Sequence, residues 1–588
     1  MSLTINSLQY DVVVIGGGGA GSMAAIRAAK AGAQVALVEK GIFGRNGCTV
    51  LGGFSACAAL GYEDPRDNPE VHFQDTMRAG KYLNNPDLVS LYTENAPLIV
   101  HEVASYGVNW DKAEDGRFAQ AMMPGHTYPR AVFVNRHTGR AIQMGVRSEV
   151  LRQGVKVFED TMVIDLLKYQ DRVAGLLCCD LHTTEPFLLL AKVVVLATGG
   201  CGQLYSQTTT SEDNTGEGLI MAWEAGAELM DLEFVQFYPT AQCYPKLPGL
   251  GPCAPAFIRI RSGARLFNNR NEDFMDKLMP GWRFKATRDF IARAIYREVK
   301  EGRGSEHGGV YMKITDRTPE EIEELFSIGN YFKKALKLGF DLRKDTIETT
   351  VKSHFYMGGV RIDINCQTAV PGLLACGEAA AGIHGANRLG GNALTEVLVT
   401  GARAGDTAAA IIAETQHAPQ GEMESLALDR FRDAIKVLHK EKGIRPRQLK
   451  QRLQQTMWDK VSLIRDGQGL EEALKEIENL TEEAERNMAL QFRGKVYNKE
   501  LVDYWEVRRM VKLASLITKA ALLREESRGS HWREDFPGED NENWLVNLIT
   551  EPGRPVFRKE ISPGAKVWQR EGKKNEGTSN GPGQDSEN

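Results

Sequence analysis

The feature that most constrains the fold lies near the start of the chain, where YDVVVIGGGGAG from Tyr10 runs into SMAAIRAAKAG and then QVALVEK, ending at Lys40. Two apolar, β-branched runs flank a segment of small residues that opens on a glycine cluster. This pattern predicts strand, tight turn, helix, strand, the βαβ unit of a parallel sheet. Gly16, Gly18 and Gly21 match GxGxxG, and Glu39 closes the second strand. Glycines at this spacing bring backbone N–H groups up to a pyrophosphate at a helix N-terminus, while the carboxylate accepts from ribose hydroxyls. The plainer alternative, a tight turn without a ligand, is disfavoured by the strand before it and the helix after it.

Two more buried strands are expected, KVVVLATGG ending at Gly200 and GLLACGE ending at Glu378. Between them, from roughly residue 234 to 350, Pro- and Gly-rich loops and short helices with paired arginines replace the alternating pattern, which marks an inserted domain. From about Gly421 to Arg528 the runs LEEALKEIENLTEEAERNMAL and ELVDYWEVRRMVKLASLITKAALL predict a bundle of three or four helices. The closing EGKKNEGTSNGPGQDSEN has the composition of a disordered tail.

A chain of 588 residues with 42% hydrophobic content fills more than one core. Its net charge of −5 is the wrong sign for a nucleic-acid binder. No apolar run reaches the roughly 18 residues needed to span a bilayer, so contact with a membrane is expected only through partners. MSLTINSLQYDVVVIGG shows no export signal, which predicts a cytoplasmic protein. The nine cysteines never form CxxC or CxxCH, so an internal iron–sulfur cluster or c-type haem is not expected, and any electron relay belongs to another chain.

HGANRLGGNALTEVLVTGARAG from His384, preceded by GLLACGEAAAG, joins an arginine to a glycine-framed helix start. Together with the N-terminal glycine motif it resembles the flavin-binding sequence of the fumarate reductase and succinate dehydrogenase flavoprotein subunits, a family related to L-aspartate oxidase. The resemblance covers roughly residues 10 to 540 and implies an α/β fold: an FAD-binding Rossmann-like domain with an inserted α+β capping domain and a C-terminal helical bundle. The boundaries expected are 1–235 and 351–413 for the two parts of the FAD-binding domain, 236–350 for the cap, 414–540 for the helical domain and 541–588 for an extension with the tail.

The same resemblance implies FAD, carried by Gly16, Gly18, Gly19, Ala20, Gly21, Glu39, Lys40, Thr49, Gly53, Thr198, Gly199, Glu217, Glu378, Asn392, Ala393 and Leu394. In membrane-bound relatives a histidine in an HTV motif holds the flavin covalently. This chain reads CTV with Cys48 in that place, so noncovalent FAD is expected. On the substrate side Arg288 matches the proton-donating arginine, His354 and Arg388 the pair that grips a carboxylate, and Arg261 a second arginine of the proton path. Arginine recognises carboxylate as a rigid fork, so these residues imply a small carboxylic acid substrate.

Three departures accompany them. Tyr238 in QFYPT stands where the family has a histidine for the far carboxylate, and Phe257 and Ile258 stand at the threonine and relay glutamate. That end of the pocket is expected to be less polar, with Arg259 as an alternative source of charge, and Glu233 or Glu272 as candidates for a rerouted relay. EESRGSHWREDFP resembles an arginine-rich turn that packs the helical bundle onto the flavin domain. The function implied is hydride transfer between flavin N5 and a carbon–carbon bond next to a carboxylate, with an iron–sulfur partner protein. The alternatives are reduction of another enoate, L-aspartate oxidation, adenylylsulfate reduction and a purely electron-carrying flavoprotein subunit.

Overall fold

A computed structural model describes residues 5–135, 137–246, 264–281, 286, 288–314, 317–325 and 331–561. Strand β1 (Asn6–Ile15), helix α1 (Gly19–Lys30) and strand β2 (Val35–Val38) form the predicted unit, with Val12 paired in parallel to Val35. Val12, Val13 and Val14 are fully buried, as a parallel strand covered on both faces requires. The expected strand at KVVVLATGG is β3 (Glu185–Leu196), which pairs in parallel with β1 and stops at Leu196, so Ala197–Gly200 form the turn that follows it. The short strand Leu373–Ala375 joins the other side of β3 and likewise ends before the GE turn.

Helix α2 (Glu217–Ala225) closes this part of the chain, and strand β4 (Val235–Tyr244) then leaves it. Helix α3 (Arg288–Lys300) buries Ile291, Ala292 and Ile295 against the inserted sheet. Strand β5 (Ile347–Tyr356) brings the chain back, antiparallel to β4, and Val310–Lys313 and Arg265–Phe267 complete the sheet. The insertion therefore starts and ends on two neighbouring strands. Bulges break the β4–β5 register between Gln236 and Phe237 and between Tyr238 and Ala241, and bulges re-aim side chains next to sites.

Helix α4 (Asn392–Ile411) packs on α1 so closely that a Cβ at Gly401 would fall 2.2 Å from the Ala20 carbonyl oxygen. Beyond it, Pro446–Lys460, Gly467–Arg486 and α5 (Lys499–Leu523) form a three-helix bundle around Leu453, Met457, Ile477, Leu480, Met510 and Leu513. Gln420–Ala434, counted with the bundle on sequence, packs instead on strands Thr161–Tyr169 and β3 of the first domain. The arginine-rich turn is clamped by fully buried pairs: Arg524 Nε donates to Glu233 Oε1 at 2.6 Å and Arg528 Nε to Glu526 Oε1 at 2.7 Å. Ser530 N–H donates to the Ala386 carbonyl at 3.0 Å, which seats the turn on the back of the HGANRLGG segment.

Strands Thr161–Tyr169 and Arg172–Asp180 of the first domain were not anticipated, nor were two near the end of the chain. Val546–Thr550 pairs with Phe557–Glu560 and with the two-residue strand Leu229–Met230, so the chain after residue 541 returns to the first domain. No helix among the described residues is long and apolar enough to cross a membrane.

Candidate active site

The glycine turn between β1 and α1 is held rigidly. Gly16 has φ +98°, and a Cβ at Gly21 would sit 1.9 Å from the Gly16 carbonyl oxygen, so neither position accepts a side chain. Gly17 N–H donates to Glu39 Oε2 at 2.7 Å, and its carbonyl accepts from Gln143 Nε2 at 2.8 Å. Burial, with Asp213 adding to it, lifts the Glu39 carboxyl to about 7 despite that N–H. Gly19 N–H donates to Thr49 Oγ1 at 3.0 Å, and Ala20 is buried in the same first turn of α1.

Lys40 Nζ lies 2.5 Å from Glu217 Oε1 and 3.0 Å from Glu506 Oε1, and Lys450 Nζ donates to the other Glu506 oxygen at 2.9 Å. Sequence reasoning found Lys40 and Glu217. It missed Glu506, which reaches this end from α5 in the helical bundle; with Asp503, Arg508 and Arg509 beside it in the sequence, it reads as one charge among several.

The flavin end has a donor set that suits FAD. Thr198 Oγ1 is buried with no hydrogen-bond partner among the described residues, although Gly218 packs so tightly that a Cβ there would come within 2.0 Å of it. Gly199 follows Thr198 with φ +73°. Tyr356 N–H donates to Glu378 Oε1 at 3.0 Å, and burial lifts that carboxyl to about 7. Cys48 caps the short turn Thr49–Leu51, with Gly53 just beyond; burial and the neighbouring Glu378 push its thiol well up, so thiolate chemistry is suppressed there.

The side chain of Asn392, the first residue of α4, turns away from that end: Nδ2 donates to Thr76 Oγ1 and Oδ1 faces His72 Nε2, each at 3.0 Å. Its backbone, with those of Ala393 and Leu394, forms the uncapped first turn of a 20-residue helix, where N–H groups and the helix dipole favour negative charge.

At the substrate end, three of the predicted side chains come from three segments. Arg288 opens α3, His354 lies on β5, and Arg388 lies on the loop before α4. Arg388 Nη2 donates to Gln236 Oε1 at 2.8 Å and its guanidinium lies over the Phe355 ring at 4.6 Å, while Nε has no partner among the described residues. Burial, with Arg288 nearby, pulls its guanidinium down to about 10. His354 Nδ1 lies 2.7 Å from Thr209 Oγ1, and burial with Arg388 and Arg288 drops its imidazole to about 3, so it is neutral at physiological pH. Tyr238 is buried with its ring 5.1 Å from that of His354.

Arg261, Phe257, Ile258 and Arg259 lie outside the described residues. The two relay candidates are engaged elsewhere: Glu233 with Arg524, and Glu272 with Asn268 and Lys277. Sequence reasoning also missed Gln236, which bridges Arg388 and Asn387 (Nε2 to Asn387 Oδ1, 2.7 Å), and His126, whose Nε2 lies 2.7 Å from the Gly390 carbonyl oxygen. The Q of QFYPT was the available signal for Gln236.

Residues 11–394 match the FAD binding domain family, and residues 450–561 match the family described as fumarate reductase flavoprotein C-term. The chain is similar to a component of the fumarate reductase (CoM/CoB) of Methanothermobacter marburgensis, 37% identical over 552 residues that make up 92% of this chain and 98% of that one. It is also similar to the L-aspartate oxidase of Synechocystis, 30% identical with 93% and 98% covered. Among solved structures, Mycobacterium smegmatis Sdh1 in complex with UQ1 superposes with a TM-score of 0.85 at 34% identity, covering 95% of each chain.

Proposed function

The chain belongs to the family of fumarate reductase and succinate dehydrogenase flavoprotein subunits, and on that footing we propose that it reduces a carbon–carbon double bond conjugated to a carboxylate. The enzyme is an FAD-dependent oxidoreductase acting on CH–CH groups. One observation carries the finer reading: the buried Arg388 guanidinium, near Arg288 and neutral His354, keeps an Nε without a partner among the described residues. Buried cations normally sit against carboxylates. A bound substrate carboxylate supplies that partner, whereas a purely electron-carrying protein has no use for the arrangement.

The glycine turn, Thr198, Glu378 and the first turn of α4 would hold FAD noncovalently, and the bound flavin would supply the hydride. The rest falls to the protein. Arg388, fixed by Gln236 and the Phe355 ring, takes one carboxylate as a fork. His354 donates a hydrogen bond to the same group, and negative charge that builds there during reduction is stabilised by donors already in place. Arg288, at the head of the cap helix, delivers the proton to the neighbouring carbon. Gln236, Phe355 and Tyr238 are buried around the pocket and keep water out of it.

At the far end Tyr238 offers a hydroxyl and no positive charge, so the group gripped there is not required to be a second carboxylate. Replacing Tyr238 with His tests this: fumarate kcat/KM is expected to rise, and no gain counts against the assignment. The two parts of the FAD-binding domain, 1–235 and 351–413, joined by Gln420–Ala434 that packs on it, the cap 236–350 and the remainder of the helical region 414–540 are proposed as the functional units. Electrons are proposed to arrive from an iron–sulfur partner in the cytoplasm, in line with scattered cysteines and with relatives named as subunits; any membrane is reached through partners.

A further inference from the structure

Thr209, on the loop after the Gly202–Leu204 turn, belongs to none of the motifs singled out on sequence, yet its hydroxyl is the hydrogen-bond partner of the substrate-facing histidine. Its backbone is pinned first: Thr209 N–H donates to the Ser353 carbonyl at 2.9 Å, and Ser353 N–H donates to the Gln207 carbonyl at 2.9 Å. The hydroxyl then has one proton and two acceptors in reach, the Ser353 carbonyl at 3.2 Å and His354 Nδ1 at 2.7 Å. That carbonyl already accepts the Thr209 N–H, and the Thr208 hydroxyl approaches it at 3.4 Å. Nδ1 is the closer acceptor and has no other donor in contact among the described residues.

The choice fixes what His354 shows the substrate. If the hydroxyl donates to Nδ1, the ring proton sits on Nε2 and points a donor at the carboxylate. If Nδ1 carries the proton, Nε2 presents a lone pair, which repels a carboxylate until the ring gains a second proton. Two guanidiniums, those of Arg388 and Arg288, face this imidazole together with the Tyr238 ring, and both oppose a second proton. We propose that Thr209 is a positioning residue that holds His354 as the neutral Nε2–H tautomer, so that the enzyme binds its carboxylate without taking up a proton. This rests on the assignment of His354 as a carboxylate ligand made above.

The test uses the FAD-loaded enzyme and the fumarate kcat/KM between about pH 6 and about pH 9, with flavin absorbance as the check on folding. The native enzyme is expected to show no dependence on His354 ionisation across that range. Thr209→Val removes the hydroxyl at constant shape; kcat/KM is expected to fall about tenfold at every pH in that range, and the ring-15N signals of His354 to move towards the Nδ1-protonated neutral form, because burial and the two guanidiniums keep the ring from a second proton. Thr209→Ser is expected to restore both. A Thr209→Val enzyme with native kcat/KM and native ring signals overturns the proposal. Should that variant lose its flavin, the ring-15N difference spectrum between histidine-labelled native and His354→Asn enzymes decides: an Nε2-protonated neutral ring supports the proposal, and an Nδ1-protonated ring or an imidazolium overturns it. His354→Asn with native kcat/KM refutes the ligand assignment beneath it instead.

Discussion

The guanidinium of Arg288 lies against the backbone of Gly390, so close that a Cβ added there would come within 2.8 Å of Nη2. The cap helix thus reaches the flavin loop through a position where only a hydrogen fits. Gly390→Ala is expected to leave folding and FAD content intact, because the far end of a flexible side chain is what must move. Displacing a reacting group by about an ångström costs roughly 100-fold in rate. Comparing kcat and the flavin spectrum of the variant with the native enzyme checks this; unchanged kcat refutes the contact as a catalytic constraint.

Gly21→Ala acts earlier. With the Gly16 carbonyl oxygen 1.9 Å from the new Cβ, the β1–α1 turn has to open, and a core distortion of this kind costs at least about 2 kcal/mol. Loss of bound flavin and a lowered melting temperature are expected together; a variant that retains both shows that the turn has slack.

Much of this end was legible in the sequence because glycine spacing states a backbone requirement directly: φ +98° at Gly16 and contact at Gly21 are met by no other residue. Arg288, His354, Arg388 and Tyr238 were legible through motifs, and the fold brings them together. What escaped were pairings between distant segments. Glu506 meets Lys40 across 466 positions, and Leu229–Met230 pairs with Ile549–Thr550 through only two residues, too few to leave a periodic pattern. Asn392 was expected to serve the flavin through its backbone; that its side chain is committed to His72 and Thr76 is revealed by no local pattern.

Glu378 sets a pH dependence of stability. Its carboxyl is lifted from 4.5 to about 7, chiefly by burial. Between those values the unfolded chain has released a proton that the folded chain keeps. The group therefore favours the folded state below about pH 4.5 and loses that advantage as pH rises towards about 7, a contribution on the order of 3 kcal/mol. Glu378→Gln cannot ionise, so its melting temperature relative to the native protein is expected to rise between about pH 5 and about pH 7. A constant difference contradicts the shift.

Glu233 is a structural anchor and not a relay group. Removing it as Glu233→Ala takes one of two buried carboxylate partners from Arg524, which keeps Glu526 at 2.9 Å, and costs about 1.5–3 kcal/mol. Thermal unfolding is expected to drop by the corresponding amount, while FAD-loaded enzyme assayed well below its transition keeps its solvent isotope effect. A changed isotope effect places Glu233 in the proton path after all.

We propose that Arg288, His354 and Arg388 together turn a reduced flavin into a reductase of unsaturated acids. Stopped-flow mixing of the dithionite-reduced protein with fumarate and with monocarboxylic enoates, for the native enzyme and Arg288→Lys, tests it most directly. Rapid flavin reoxidation by at least one acid, slowed about 100- to 10,000-fold in the variant with acid affinity nearly unchanged, is the predicted result. A native flavin that stays reduced in the presence of every acid, or a variant as fast as the native enzyme, contradicts it.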